Sequence, residues 1–126
     1  MVTINEVIER VNKTYPDAID DEIKAKWLID LEGRLYREVF LTHNGADENY
    51  VLPLSYPEDG DKGLLAKAPY DNLYDLYIVA QTDLVNREDD SYNNSAMVFN
   101  NALDEFKKEY HRTHLPKSSG NFKNYW

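Results

Sequence analysis

Apolar residues recur at helical spacing in four stretches of this chain. Ile4, Val7, Ile8 and Val11 share one face of a first helix. Thr3 and Glu6 form the Thr-x-x-Glu pattern of a capping box at its start. Pro16 ends it, because the residue before proline is pushed out of helical geometry. An acidic joint follows, with Asp20 placed to cap a second helix. There Ile23, Trp27, Leu31, Leu35 and Val39 step by four, with Leu28 alongside. Such a stripe drifts round a straight helix, so its two ends need not meet the same neighbour. Gly33 sits inside this helix at a cost of about 1 kcal/mol relative to alanine. Close backbone packing and simple tolerance both account for it.

The strongest pattern lies further on. Leu73, Leu76, Tyr77, Ala80 and Leu84 line one face of a third helix, and Tyr92, Ala96, Phe99, Leu103, Phe106 and Tyr110 form a heptad-like seam on a fourth. Between them, residues 86–91 contain no apolar side chain. A connection this short makes the two helices antiparallel neighbours, an αα-hairpin. Asp89, Asp90 and Ser91 supply capping oxygens and negative charge to the fourth helix. The core expected from these patterns is Trp27, Leu31, Leu35, Leu76, Tyr77, Ala80, Phe99, Leu103 and Phe106.

From 42 to 69 the helical period disappears. Asn44-Gly45 and Asp59-Gly60 are turn dipeptides, and Pro53 and Pro57 forbid a helix. Two apolar islands remain: Tyr50, Val51, Leu52 and Leu54, then Leu64, Leu65 and Ala66. An excursion of this length is either functional or disordered as a rule. The islands favour partial order, as one or two short strands on this subunit or on a partner; Tyr50, Val51, Leu52, Leu54, Leu64 and Leu65 are the candidate inter-subunit residues. The expected fold is mainly α, a bundle of about four helices with a long mid-chain loop or short β-hairpin. Residues 1–116 form the helical domain, and 117–126 an extended C-terminal arm. Ser118, Ser119 and Gly120 give the arm a flexible hinge, and Phe122, Tyr125 and Trp126 give it an aromatic end. Lys117, Phe122, Lys123, Tyr125 and Trp126 are its candidate binding residues; rings folding back on their own core are the alternative.

Charge narrows the function classes. The chain carries a formal net charge of −9, which argues against a general binder of nucleic-acid backbone, since phosphate contacts need a basic face. The last twenty residues are the exception: Lys107, Lys108, Arg112, Lys117 and Lys123 stand against Glu109 alone. Such a basic end is either solvated or drawn to an acidic body, including that of a neighbouring copy. No cysteine is present, which excludes disulfides, thiolate catalysis and cysteine-held zinc. No apolar run approaches membrane-spanning length, and the start lacks a basic segment and apolar core, so export is not expected.

Catalytic motifs are absent: no phosphate loop, no dinucleotide-binding glycines, no Gly-x-Ser-x-Gly elbow. His111 and His114 lie three apart but lack a third ligand, and favourable placement at a helix C-terminus accounts for them. Asp59-Gly60-Asp61 lacks the rest of a calcium loop. Acid pairs fall in turns and helix starts, where carboxylates cap. Neither enzyme chemistry nor a cofactor is therefore expected. Tyr70, Tyr74, Tyr77, Tyr92, Tyr110 and Tyr125 crowd the second half beside Asn93, Asn94, Asn100 and Asn101. Tyrosine suits surfaces buried in assemblies yet wet at the rim, and the amide face is either packed on a partner or an ordinary surface.

Three segments carry a family resemblance. Residues 27–34 (Trp-Leu-Ile-Asp-Leu-Glu-Gly-Arg) resemble a W-L-x-x-L-[DE]-G-[RK] segment of small tailed-bacteriophage proteins. Residues 74–83 resemble their central helix, and 92–100 with 110–114 their last helix and its exit. These are head-tail connector (adaptor, head-completion) proteins. The resemblance covers most of residues 20–116, and its motifs are structural. It implies a virion protein assembled in the host cytoplasm as a homo-oligomeric ring of about twelve copies beneath the portal protein. Such a ring extends the channel through which double-stranded DNA passes and offers a docking surface to tail, stopper or completion proteins. A small acidic helical adaptor of a basic protein partner is the alternative expectation.

Overall fold

The computed structural model describes residues 2–40 and 54–113. Among them the chain is mainly helical: α1 spans Ile4–Thr14, α2 Asp21–Leu35, α3 Asn72–Val85 and α4 Asp89–Thr113. α1 starts as its sequence dictates, with the Thr3 hydroxyl accepting the Glu6 backbone N–H at 3.2 Å. Ile4, Val7, Ile8 and Val11 are all buried. Asp20 stands at the N-cap of α2, but its side chain makes no capping bond. Beyond Leu35 the helix widens into one π-helical turn, Tyr36–Phe40, a local under-winding with i→i+5 hydrogen bonding.

The buried face of α2 is not the stripe expected from its apolar residues. Ala25, Leu28, Leu31 and Leu35 point inward together with Lys24 and Glu32, while Ile23 is 45% exposed. Trp27 is half-buried against the core. The i+4 stripe crosses the interface obliquely, so only its second half faces the bundle. Gly33 has room: an added Cβ would meet only the Arg37 guanidinium, at 3.6 Å. Tolerance, not close packing, accounts for it.

α3 and α4 form the expected antiparallel hairpin, closed by a turn without glycine. The Glu88 N–H donates to the Asp83 carbonyl at 3.0 Å and the Arg87 N–H to that of Leu84 at 3.1 Å. With Asn86 as C-cap, this is the double bond pattern of a Schellman motif. Arg87 occupies its left-handed position at φ 57°, where an L-residue is strained. Phe99, Leu103, Phe106 and Tyr110 bury the seam of α4, and Leu31, Leu35 and Ala80 are buried with them. Leu76 and Tyr77 are half-buried against this core, and Leu84 is exposed.

The middle excursion serves the chain's own core. Leu54, Leu64 and Ala66 are buried within it, at 4%, 0% and 0% exposure, and Leu65 packs against it. Of the two expected alternatives, order on this subunit or on a partner, the burial of Leu54 and Leu64 in the chain's own core is the first; Leu65 is half-buried against it. Tyr50, Val51 and Leu52 lie outside the described residues. Among the described residues the β character is one antiparallel bridge between Thr3 and Gly63. The Leu64 N–H donates to the Val2 carbonyl at 2.8 Å and the Asn5 N–H to that of Gly60 at 3.1 Å, so the return strand lies along the entry to α1.

Candidate functional site

Polar side chains converge at four places among the described residues, and in each the geometry is that of a clamp. The Glu32 carboxylate accepts from the Tyr74 hydroxyl at 2.7 Å and from the Leu65 N–H at 2.8 Å, and the same hydroxyl accepts the Ala66 N–H at 2.9 Å. Both side chains are fully buried. This network ties α2, α3 and the return segment together. Lys24, 1% exposed, reaches Asp17 at 3.0 Å and the Asn12 amide oxygen at 2.5 Å. It fastens the α1–α2 joint. Arg10 holds Asp75 at 2.7 Å and Asp71 at 3.4 Å, joining α1 to the start of α3.

The fourth clamp closes one end of the bundle. Asp83 accepts from the Tyr15 hydroxyl and, at 2.6 Å, from the Ser95 hydroxyl. It links the end of α1 to both arms of the hairpin. The bond to Asp83, with burial, pushes the Tyr15 phenol up to about 12. Burial is also the main influence on Asp75, raising its carboxyl above the usual range against the pull of Arg10. For Arg10, burial works against the charge, yet the bonds to Asp75 and Asp71 outweigh it and the guanidinium is raised. Burial alone raises Tyr110. Each of these carboxylates holds one element of the fold to another. Among the described residues no group of three or more His, Asp or Glu stands close enough to hold a metal ion. No described helix is long and apolar enough to cross a membrane.

Most of the tyrosines also belong to the fold. Tyr74 and Tyr110 are buried, and two ring pairs hold α4 down: Tyr77 lies 5.0 Å from Phe99 and Tyr70 6.1 Å from Phe106, which also lies 6.1 Å from Tyr110 one turn along α4. The expectation that these rings face an assembly partner is corrected for Tyr74 and Tyr110, whose surface the chain itself covers.

What remains outward is the opposite side of α4. From Ser91 to Leu103 the helix carries no charged side chain, although acids flank it at Asp89, Asp90, Asp104 and Glu105. Asn93, Asn94, Asn100 and Asn101 are all exposed. Between them Met97 is 56% and Val98 44% exposed. An apolar pair framed by four amides, on a rigid helix anchored by its other face, is the candidate contact surface. Its amides were visible as a polar face in the sequence. Met97 and Val98 were not, and their signal was their position off the heptad seam. Lys24 and Glu32 were also missed; each stands on the face of Leu28, Leu31 and Leu35 at helical spacing. The arm residues Lys117, Phe122, Lys123, Tyr125 and Trp126, and His114, lie outside the described residues. No protein-family model, curated protein or solved structure matches this chain.

Proposed function

We propose that this chain is a structural assembly subunit, a virion protein that forms a connector ring beneath a phage portal, extends its DNA channel and presents a surface to tail or completion proteins. The uncharged outer face of α4 supports this reading. A chain of net charge −9 repels its own copies, and helix against helix across amides and apolar side chains is the contact at which that repulsion is weakest. Asparagine amides both donate and accept, so copies of one such face can hydrogen-bond each other. The resemblance of residues 27–34, 74–83 and 92–100 to connector proteins is what directs the reading to phage particles. The C-terminal arm then engages the portal.

The test pairs Met97→Asp with Val98→Asp in the full chain. Assembly with purified portal, followed by native mass spectrometry, is expected to lose higher oligomers while far-UV circular dichroism stays unchanged. Undiminished rings would remove the α4 face from the reading. Removing residues 118–126 is expected to abolish capture by the portal with the helices intact. The net charge favours a second reading, an acidic adaptor of a basic protein. It predicts a monomer or dimer throughout, and binding that weakens steeply with salt.

A further inference from the structure

Where α2 runs past the returning chain, an open groove of about 670 Å³ lies between them. Its floor is apolar, made by Ile29, Leu54 and Tyr56, and its rim carries Glu22, Asp30 and Glu58 against one base, Lys26. Leu54 is buried; the three acids are exposed. That is the shape and charge of a receptor for a basic segment bearing aromatic rings.

Two segments border the described residues, and their charges discriminate between them. Residues 41–53 contain Asp47 and Glu48 and neither lysine nor arginine, the same sign as the rim. Residues 117–126 contain Lys117 and Lys123, no acid, and the rings of Phe122, Tyr125 and Trp126. We propose that segment 117–126 docks in this groove of its own chain, rings on the floor and Lys123 against the acidic rim, with Lys117 on the approach to it.

The reach is sufficient. Lys107 approaches Glu38 to 4.0 Å, which sets the last turns of α4 beside the end of α2. Asp30 and Glu22 lie eight and sixteen residues back from Glu38, roughly 12 and 24 Å along the helix, and rounding it adds one helix width of about 10 Å. Thirteen residues carry the chain from Thr113 to Trp126, up to about 43 Å when extended. Tethering gives the segment an effective concentration on the order of millimolar, so individually weak contacts suffice. A partner that takes the arm must first draw it out of the groove. This inference does not depend on the connector reading.

The absence of cysteine makes the test direct. Asn124→Cys in the full chain takes one nitroxide label, and paramagnetic broadening is read at side-chain methyl groups. Selective loss of the Ile29 and Leu54 signals at low salt is expected, with those of Ile78 and Leu103 kept. The signals should return in Glu22→Lys/Glu58→Lys, return in Lys117→Glu/Lys123→Glu, and be lost again when all four changes are combined. Absent or uniform broadening, or broadening indifferent to both reversals, would overturn the proposal. So would broadening seen equally on isotope-labelled molecules mixed with separately spin-labelled copies, because that places the arm on another molecule.

Discussion

Tyr74→Phe removes a single hydroxyl on which three segments depend. In the native protein that oxygen donates to Glu32 at 2.7 Å and accepts from the Ala66 N–H at 2.9 Å, in a site with no exposure. The ring volume is nearly unchanged, so the loss is one of hydrogen bonding. A bond to a carboxylate contributes about 1.5–3 kcal/mol, and a buried N–H left without a partner costs about 1–3 kcal/mol more. The expected destabilisation is therefore about 3–4 kcal/mol, a large part of the 5–15 kcal/mol typical of a domain. With a urea slope near 2 kcal/mol/M, the unfolding midpoint should fall by about 1.5–2 M at constant slope. Urea titration followed by far-UV circular dichroism measures it. Tyr92→Phe, at a half-exposed position on α4, serves as the control and should change little. Glu32→Gln should fall between the two, since an amide can accept from one donor but presents its NH₂ to the other. A loss under about 1 kcal/mol for Tyr74→Phe would refute the view that this network holds the return segment to the helices.

Three further outcomes are expected. Arg87→Gly should stabilise by about 0.5–1 kcal/mol in the same titration, because glycine adopts the left-handed position at φ 57° without the strain an L-residue carries. Gly33→Ala and Gly60→Ala should have opposite signs. The first gains up to about 1 kcal/mol of helix propensity in open space. In the second, the new Cβ would fall 2.7 Å from the Asn5 amide oxygen. It would displace the side chain that donates to Asp61 at 2.8 Å, a loss of about 0.5–1.5 kcal/mol. The last concerns pH. The Tyr15 phenol is raised from 10.0 to about 12 in the folded chain, so its stabilisation is complete below pH 10 and is lost as pH climbs towards 12. Tyr15→Phe should flatten that part of the stability-against-pH curve, and an unchanged alkaline slope would show that the bond to Asp83 contributes nothing.

How far the fold could be read from residues depended on whether neighbours in space were also neighbours in sequence. The α1 face, its Thr3 cap and the α3–α4 hairpin follow local rules of period and turn length, and all three stand as expected. The hairpin closure was harder, since a Schellman motif built on Arg87 rather than glycine leaves no mark in composition. The orientation of α2 was hidden for another reason. Its apolar stripe and its buried face diverge because Lys24 and Glu32 are paid for by distant partners, Asp17 across the joint and Tyr74 in α3. Likewise Leu54 and Leu64 looked unemployed only because the vacancy they fill is a property of three helices packed together.

Electrostatics links the surfaces left over. Acids dominate the chain at −9, yet the described residues include a long uncharged helix face and an acidic groove. A like-charged pair of subunits gains most by meeting where charge is missing, and an exposed charge is screened within about 8 Å at physiological salt. The acids flanking residues 91–103, at Asp89, Asp90, Asp104 and Glu105, then act as boundaries. Sliding one α4 along another brings acid against acid, so the register in which neutral stretches coincide is favoured. The groove works with the opposite sign. Its acids are complementary to the basic end of the chain, residues 117–126, and docking there, as we propose, would keep those rings and lysines from joining two molecules by chance. The two proposals, contact between copies through α4 and docking of the arm in the groove, are thus separable by experiment. Charge reversal at Glu22 and Glu58 should free the arm without touching the helix face, and Met97→Asp should damage the face without freeing the arm.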